Sequence, residues 1–296
     1  MSITSRLHLG NKRGRAAIGA AILAMSMALM VGTPARAQTT FDVIGPKEYD
    51  LPVNFDPFNV FVQYAYVQDN SKVWSNSGES IVGDGSQALV GLSKYVYFWT
   101  PEFNRNVGVA WEIIQPEISV RNSKSQANPD GSQVSGFGDT ITGFATWFKP
   151  TPASTLGVQS FVQIPIGDTD VSDQTWKNLS SVLWYTPIGS AFDWTGNAGF
   201  VWQSSKPSRV QPAMLYHTNN RFGWLATDWL EPFIALDYEY IGAYAGFNEA
   251  WSFDGGLGFM IDTFENQWLT LRYSQSLAGK NHSYNDSWNL KYAVVW

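Results

Sequence analysis

Apolar and polar residues alternate with a period of two along most of the chain after residue 57. The pattern is clearest at the C-terminal end, where large apolar residues alternate with smaller or polar ones. Successive side chains of a β-strand point to opposite faces, so this period is typical of a strand. The pattern therefore predicts a final strand whose apolar face carries Trp288, Leu290, Tyr292, Val294 and Trp296.

The same alternation predicts eleven further strands. The one at 211–224 is the weakest, and the one at 88–100 is apolar on both faces. Short turns alternate with longer polar loops, of which 69–86 and 121–135 are rich in turn-forming residues. About twelve strands, with ten to fourteen allowed, fit the even count of bacterial barrels. The other predicted strands are 58–68, 107–120, 137–148, 155–166, 176–186, 192–203, 229–241, 250–261 and 268–277.

The first 37 residues have the composition of a secretory signal peptide. Basic residues precede an apolar run at 16–32, and Ala35-Arg36-Ala37 forms a small-residue cleavage site. A membrane-anchor helix is the alternative, but the apolar run is short for one. We therefore expect residues 1–37 to be a signal peptide, residues 38–57 a periplasmic lead-in, and residues 58–296 the barrel.

Composition narrows the class of protein further. Without the signal peptide the chain loses five of its 19 basic residues and none of its 25 acidic ones, so its formal net charge falls from −6 to −11. Nucleic acid is therefore not an expected partner. The absence of cysteine excludes disulfides and thiolate metal sites. Fourteen Trp and thirteen Tyr suit the two interfacial girdles of a membrane barrel.

These features favour an all-β fold, an antiparallel transmembrane β-barrel of the bacterial outer membrane, over a soluble β-sandwich. In such a barrel the polar face of each strand points inward, because charges at membrane depth are costly unless they face water or a partner. The inward charges either pair with one another and fill the interior, or set the polarity of a solute path. The candidate residues that line the interior, charged and uncharged, are Gln159, Gln163, Asp237, Glu239, Asp254, Arg272 and Lys291.

Two motifs on neighbouring predicted strands carry a family resemblance. The sequence Gly136-Phe137-Gly138-Asp139 opens one strand, and Ile164-Pro165-Ile166-Gly167-Asp168 closes the next, with Ile166 where threonine is usual. Over about residues 136–186 the chain resembles the meta-pathway of phenol degradation family of outer-membrane barrels. The resemblance implies a transporter-like protein that helps aromatic compounds across the outer membrane. We expect the glycines and aspartates of both motifs to shape the strand ends rather than to bind solute.

The function expected from these features is passive passage of small hydrophobic or aromatic solutes into the periplasm. The expected partners are outer-membrane lipid, the barrel-assembly machinery, which would recognise the final strand, and a small-molecule solute. No cofactor or metal is expected. One alternative is a structural barrel with a plugged interior. Another is a membrane-embedded hydrolase, for which His217 and His282 are the histidines that remain after processing.

Overall fold

The computed structural model describes residues 44–122, 131–206 and 210–296, and in these ranges the chain forms antiparallel β-strands. The signal peptide predicted at 1–37 lies outside the described residues. The strands in chain order are β1 (Phe58–Trp74), β2 (Ser80–Trp99), β3 (Val107–Asn122), β4 (Ser132–Phe137), β5 (Thr140–Thr151), β6 (Ser154–Ile164), β7 (Lys177–Ile188), β8 (Phe192–Gln203), β9 (Leu215–Trp224), β10 (Leu230–Ile241), β11 (Ala250–Phe264), β12 (Gln267–Lys280) and β13 (Asp286–Val295).

The strands close into a ring. Apart from β4 and β5, strands that follow one another along the chain pair with each other, and β13 pairs with β1 to complete the circuit. Strands β4 and β5 both pair with β3, β5 along its first half and β4 along its second. They are therefore two parts of one strand, interrupted at Gly138 and Asp139. Counted in this way the ring has twelve strands, which confirms the predicted antiparallel barrel.

The two ends of the barrel differ. The turns that join β2 to β3, β5 to β6, β7 to β8, β9 to β10 and β11 to β12 lie at the end where β1 begins and β13 finishes. We call this the short-turn end. The remaining connections lie at the opposite end, which we call the long-loop end.

Two predicted loops are wrong in part. Residues 69–74 and 80–86 continue strands β1 and β2, and residues 132–135 belong to β4. Apart from the buried Ser86, the side chains described in these extensions are exposed or half-buried, so no regularly buried face imposes alternation although the backbone pairing continues. The weakly marked strand at 211–224 is present but begins later, at Leu215.

Side chains alternate between the interior and the outer surface. On β6, Gln159, Phe161 and Gln163 are buried in the interior. Val158 and Val162, which alternate with them, are exposed. The exposed apolar side chains give the outer surface the character that lipid requires. Among the described residues, no helix is long and apolar enough to cross a membrane.

Candidate functional site

Residues 44–57, which belong to the predicted lead-in, lie inside the barrel at its short-turn end. We call them the N-terminal segment. The backbone N–H of Lys47 donates to Thr195 of β8 at 3.0 Å, and Asn197 of the same strand donates to the hydroxyl of Tyr49 at 2.9 Å. The guanidinium of Arg221 on β9 donates to the carbonyl of Ile44 at 2.8 Å. The segment therefore reaches from the rim into the middle of the interior.

An apolar cluster holds the outer part of this segment. Trp147 is 2% exposed, and its indole N–H donates to the carbonyl of Pro52 at 2.7 Å. Its ring stacks on Phe55 with 6.2 Å between centroids. Leu51, Val53 and Phe55 pack against interior side chains of three strands, which explains why this part of the interior is apolar. The cluster is completed by Val60, Val96, Phe98, Ala110 and Ala145.

Ion pairs hold the inner part of the segment. The ammonium of Lys47 lies 2.8 Å from Glu231, and the carboxylate of Glu48 pairs with Lys291. Burial alone would raise the pKa of Glu48, but the positive charges of Lys291 and Lys94 outweigh burial and lower it. Glu48 is therefore a carboxylate at neutral pH, and a wall lysine balances its charge.

Asp193 of β8 lies beside Glu231 of β10 on the barrel wall. Both side chains are almost fully buried. A Cβ added to Gly223 would lie 2.1 Å from the Glu231 carboxylate and 2.8 Å from that of Asp193, so the missing side chain makes room for both. Lys47 of the N-terminal segment thus supplies positive charge to a buried acidic pair.

A buried triad occupies the middle of the interior. Asp237 accepts from Arg221 at 2.6 Å and from Arg272 at 3.2 Å, and all three side chains are nearly inaccessible to solvent. Breaking such an arrangement is costly because it leaves charges buried without partners. Asp237 and Arg272 were expected on the interior face, and they lie in one triad.

The long-loop half is filled by wall and loop side chains. Asp254 accepts from Ser252 at 2.5 Å, from Ser276 at 2.6 Å and from Asn285 at 3.1 Å. Glu239 lies 3.5 Å from His282 in the loop between β12 and β13. Burial alone would lower the pKa of His282, but the hydrogen bond and negative charge of Glu239 outweigh burial and raise it.

The remaining candidates divide between the interior and the strand break. Gln159 and Gln163 are buried on the interior face of β6, and Gln163 donates to Asp139 at 3.0 Å. Asp139 also accepts from the backbone of Gly167 at 2.9 Å, where β6 ends. Its carboxylate therefore ties the strand break to the end of the next strand.

The second aspartate of the motifs makes a matching contact. The backbone N–H of Asp168 donates to the carbonyl of Phe137, and its carboxylate accepts from the N–H of Phe137, both at 2.8 Å. The site for a Cβ on Gly136 is 2.6 Å from the Asp168 carboxylate, and that on Gly138 is 2.8 Å from Pro116. Both glycines thus allow close packing at the junction.

The alternating residues of the final strand face outward. Trp288, Leu290, Tyr292 and Trp296 are exposed on the outer surface, with Val294 half-buried between them. Lys291, on the opposite face, points into the interior and contacts Glu48. The two faces of this strand therefore serve the bilayer and the interior separately.

Sequence analysis missed several interior charges, including Lys94, Glu112, Arg221 and Glu231. Glu231 is an even number of residues from Asp237, so strand alternation could have placed both on one face. Arg221 lies in the weakly marked strand, which hid its orientation. The N-terminal segment gave no periodic signal, because its contacts are with the barrel and not within itself.

In the described part of the chain, no group of three His, Cys, Asp or Glu side chains is placed to hold a metal ion. A closed ring of twelve antiparallel strands with an apolar outer surface and a polar, charged interior defines a β-barrel of the outer-membrane type. The chain belongs to the family described as "Putative MetA-pathway of phenol degradation", whose sequence pattern matches residues 71–292. This match confirms the resemblance seen in the two motifs.

Solved structures share the fold. The COG4313 outer membrane channel from Pseudomonas putida F1 matches with a TM-score of 0.71 and 15% identity, over 86% of this chain and 100% of that chain. The CymD monoaromatic hydrocarbon channel matches with a TM-score of 0.50 and 8% identity, over 90% and 94% of the two chains. The β domain of the Bordetella autotransporter BrkA gives 0.50 and 12%, over 82% and 100%. Among curated protein sequences, none matches this chain.

Proposed function

We propose that the protein is an outer-membrane channel that admits small hydrophobic or aromatic solutes into the periplasm by passive diffusion. In the described conformation the N-terminal segment closes it. One observation carries this proposal: the short-turn half of the interior is filled by a separate stretch of chain that precedes β1. Such a segment can leave without breaking the strand pairing of the wall, whereas a filling made by wall side chains cannot.

The comparisons support the class of solute. The protein of Pseudomonas putida F1 is an outer membrane channel, and CymD is a monoaromatic hydrocarbon channel. The family is described by a pathway of phenol degradation. Location in a bilayer is supported by exposed outward indole rings, which favour the membrane interface. They include Trp176, Trp202, Trp224, Trp229, Trp288 and Trp296.

Within this proposal the interior charges set the polarity of the path once the segment has moved. Asp237 and Glu239 lie on β10, and Asp254, Arg272 and Lys291 lie on the next three strands, so all five would face a passing solute. The exposed aromatic face of the final strand would be the surface that the assembly machinery recognises. Both roles, of the interior charges and of the final strand, were expected from the sequence.

Two other functions compete with this one. A structural barrel would keep its interior closed permanently. A hydrolase would need a histidine hydrogen-bonded to a serine hydroxyl. His217 lies 3.3 Å from Asn219, and His282 pairs with Glu239 at 3.5 Å, so neither of these contacts is of that kind. The channels among the similar solved structures favour the channel over the hydrolase, and solute flux decides between the channel and the structural barrel.

The test is uptake of radiolabelled solutes by liposomes that contain the refolded chain 38–296. An aromatic solute and a sugar are compared in liposomes with and without protein. A matched variant carries Lys47→Ala and Trp147→Ala, which together remove one ion pair and the main apolar anchor of the segment.

We expect aromatic uptake above that of empty liposomes, and faster uptake through the variant. Folding of both proteins is checked by heat-modifiable migration on gels. If neither folded protein passes either solute, the channel proposal is wrong and the structural barrel stands.

A further inference from the structure

The carboxylate of Glu48 occupies a site built by three side chains of the barrel wall. Its closest partner is Lys291, and the hydroxyl of Tyr64 lies 3.4 Å from its second oxygen. The ammonium of Lys291 also lies 5.8 Å from the centre of the Tyr64 ring. Lys94 adds a second positive charge nearby. We call Tyr64, Lys94 and Lys291 the Glu48 socket.

Among the described residues, carboxylates of the wall pair with Lys94 and Arg272 near the socket, whereas the carboxylate that pairs with Lys291 belongs to the N-terminal segment. Lys94 pairs with Glu112 at 2.7 Å, and Arg272 pairs with Asp237 at 3.2 Å. The contact described for Lys291 that neutralises its charge comes from the N-terminal segment itself. When the segment leaves, this ammonium, whose side chain is 15% exposed, loses its counter-charge. A cation that has lost its counter-charge inside the barrel attracts a small anion that can reach it.

The surroundings also fit an apolar body attached to such an anion. A cavity next to the socket, about the size of one water molecule, is lined by residues that include Ile44, Tyr64, Phe233, Arg272 and Lys291. Ile44 belongs to the N-terminal segment, so the cavity grows when the segment moves. An aromatic ring would then contact the rings of Tyr64 and Phe233.

We propose that the Glu48 socket is a binding site for small aromatic carboxylates, and that Glu48 occupies it as an internal substitute. A solute carboxylate would replace Glu48 on Lys291 and so favour release of the N-terminal segment. This inference rests on the proposed channel function and narrows its substrate class. Binding alone can be measured without transport, so the two proposals can fail separately.

The direct test is equilibrium binding of radiolabelled benzoate to refolded protein in detergent micelles. Glu48→Gln empties the socket of its carboxylate but keeps the shape of the side chain. Glu48→Gln combined with Lys291→Met removes the ammonium as well. Asp50→Asn is the matched control, because Asp50 is a carboxylate of the same segment that pairs with Lys149 at 3.4 Å outside the socket.

We expect E48Q to bind benzoate at least about ten-fold more tightly than the double variant, which corresponds to ~1.4 kcal/mol. Benzamide, which has the same ring but no charge, should not compete. D50N should bind as weakly as the unchanged protein, because Glu48 still fills the socket. Equal benzoate binding by E48Q and the double variant, or equal competition by benzamide, would overturn the inference.

A second measurement links the socket to opening. Benzoate in the medium should raise the uptake of labelled arabinose by liposomes containing the unchanged protein, whereas benzamide should not. E48Q should show higher arabinose uptake that benzoate no longer raises. A folded E48Q that binds benzoate, while no folded protein passes either arabinose or the aromatic solute, would refute the channel function and leave the binding site standing.

Discussion

The two halves of the barrel interior are closed in different ways. In the short-turn half, a segment that precedes β1 fills the space, and it is held by Trp147, by Lys291 and by the acidic pair of Asp193 and Glu231. In the long-loop half, side chains of the wall and of the loop between β12 and β13 fill the space through contacts of Asp254 and other polar groups. The short-turn half is closed by a segment that can leave, whereas the long-loop half is closed by side chains of the wall and its loop.

This difference shows where opening is least costly. Releasing the segment breaks a limited set of side-chain contacts and leaves every described strand pairing intact. Opening the long-loop half requires several hydrogen-bonded side chains to rotate into new positions, each leaving buried polar groups that need new partners. The short-turn half is therefore the expected gate, and the long-loop half the expected fixed lining. The predictions below test this comparison.

The largest loss of stability is expected from a mutation where the two halves of the interior meet. Asp237→Leu leaves Arg221 and Arg272 buried without their shared carboxylate, and breaking a buried pair of this kind typically costs ~3–5 kcal/mol. We expect a clear fall in the urea concentration that unfolds the barrel in micelles. Glu249→Gln is the control, because Glu249 and Lys280 form a pair that is largely exposed, and its loss should change stability by less than about 1 kcal/mol. Equal unfolding midpoints for the two variants would contradict the role of the triad.

The next largest effect should be a loosening of the N-terminal segment, confined to the short-turn half. Trp147→Ala removes the stacked ring and the hydrogen bond to Pro52, a loss of about 3 kcal/mol for a buried tryptophan. We expect trypsin to cut after Lys47 much faster, as measured by mass spectrometry. Phe148→Ala is the matched control, since its side chain on the same strand points outward and is 46% exposed. Similar cutting of both variants would show that the cluster does not hold the segment.

A smaller effect should follow from crowding the acidic pair. The Cβ of Gly223→Ala would lie 2.1 Å from the Glu231 carboxylate, so that side chain must move and its ion pair with Lys47 is disturbed. Crowding of this kind costs ~1–3 kcal/mol. We expect trypsin to cut after Lys47 faster than in the unchanged protein but more slowly than in W147A. Gly242→Ala, where the nearest atom would be an ordinary 3.7 Å away, should leave the cutting rate unchanged.

The sequence predicted the strands of the barrel wall better than the residues that fill the interior. Alternation predicted the positions of the strands and their number, twelve, because each strand has one face toward lipid and one toward the interior. Apolar and polar residues therefore alternate along the strand. It failed at 69–74 and 132–135, where the strands continue but neither face is regularly buried. Pairing there depends on the neighbouring strand, which a single segment does not reveal.

The candidate site was predicted only in part for a similar reason. Asp237, Arg272 and Lys291 stood out as charges on apolar strands, but their partners lie 16 to 243 residues away along the chain. The segment around Glu48 has no periodicity, because its conformation follows the shape of the interior. Long-range pairing of this kind needs the three-dimensional register of the strands.

The smallest effect should distinguish the long-loop half by its response to pH. The pKa of His282 in the folded protein is raised above its usual value of about 6.5 by Glu239, with Asp254 adding to the effect. The stabilisation is therefore complete below that usual value and is lost as the pH rises through the higher folded value. We expect the amides of the loop at 281–285 to lose protection against hydrogen exchange, measured relative to the intrinsic exchange rate at each pH, over that window. His282→Gln and Glu239→Gln should each remove the pH dependence, while trypsin cutting after Lys47 should not follow the same titration. A common titration of the two readouts would mean that the halves open together, and the comparison between a gate and a fixed lining would have to be abandoned.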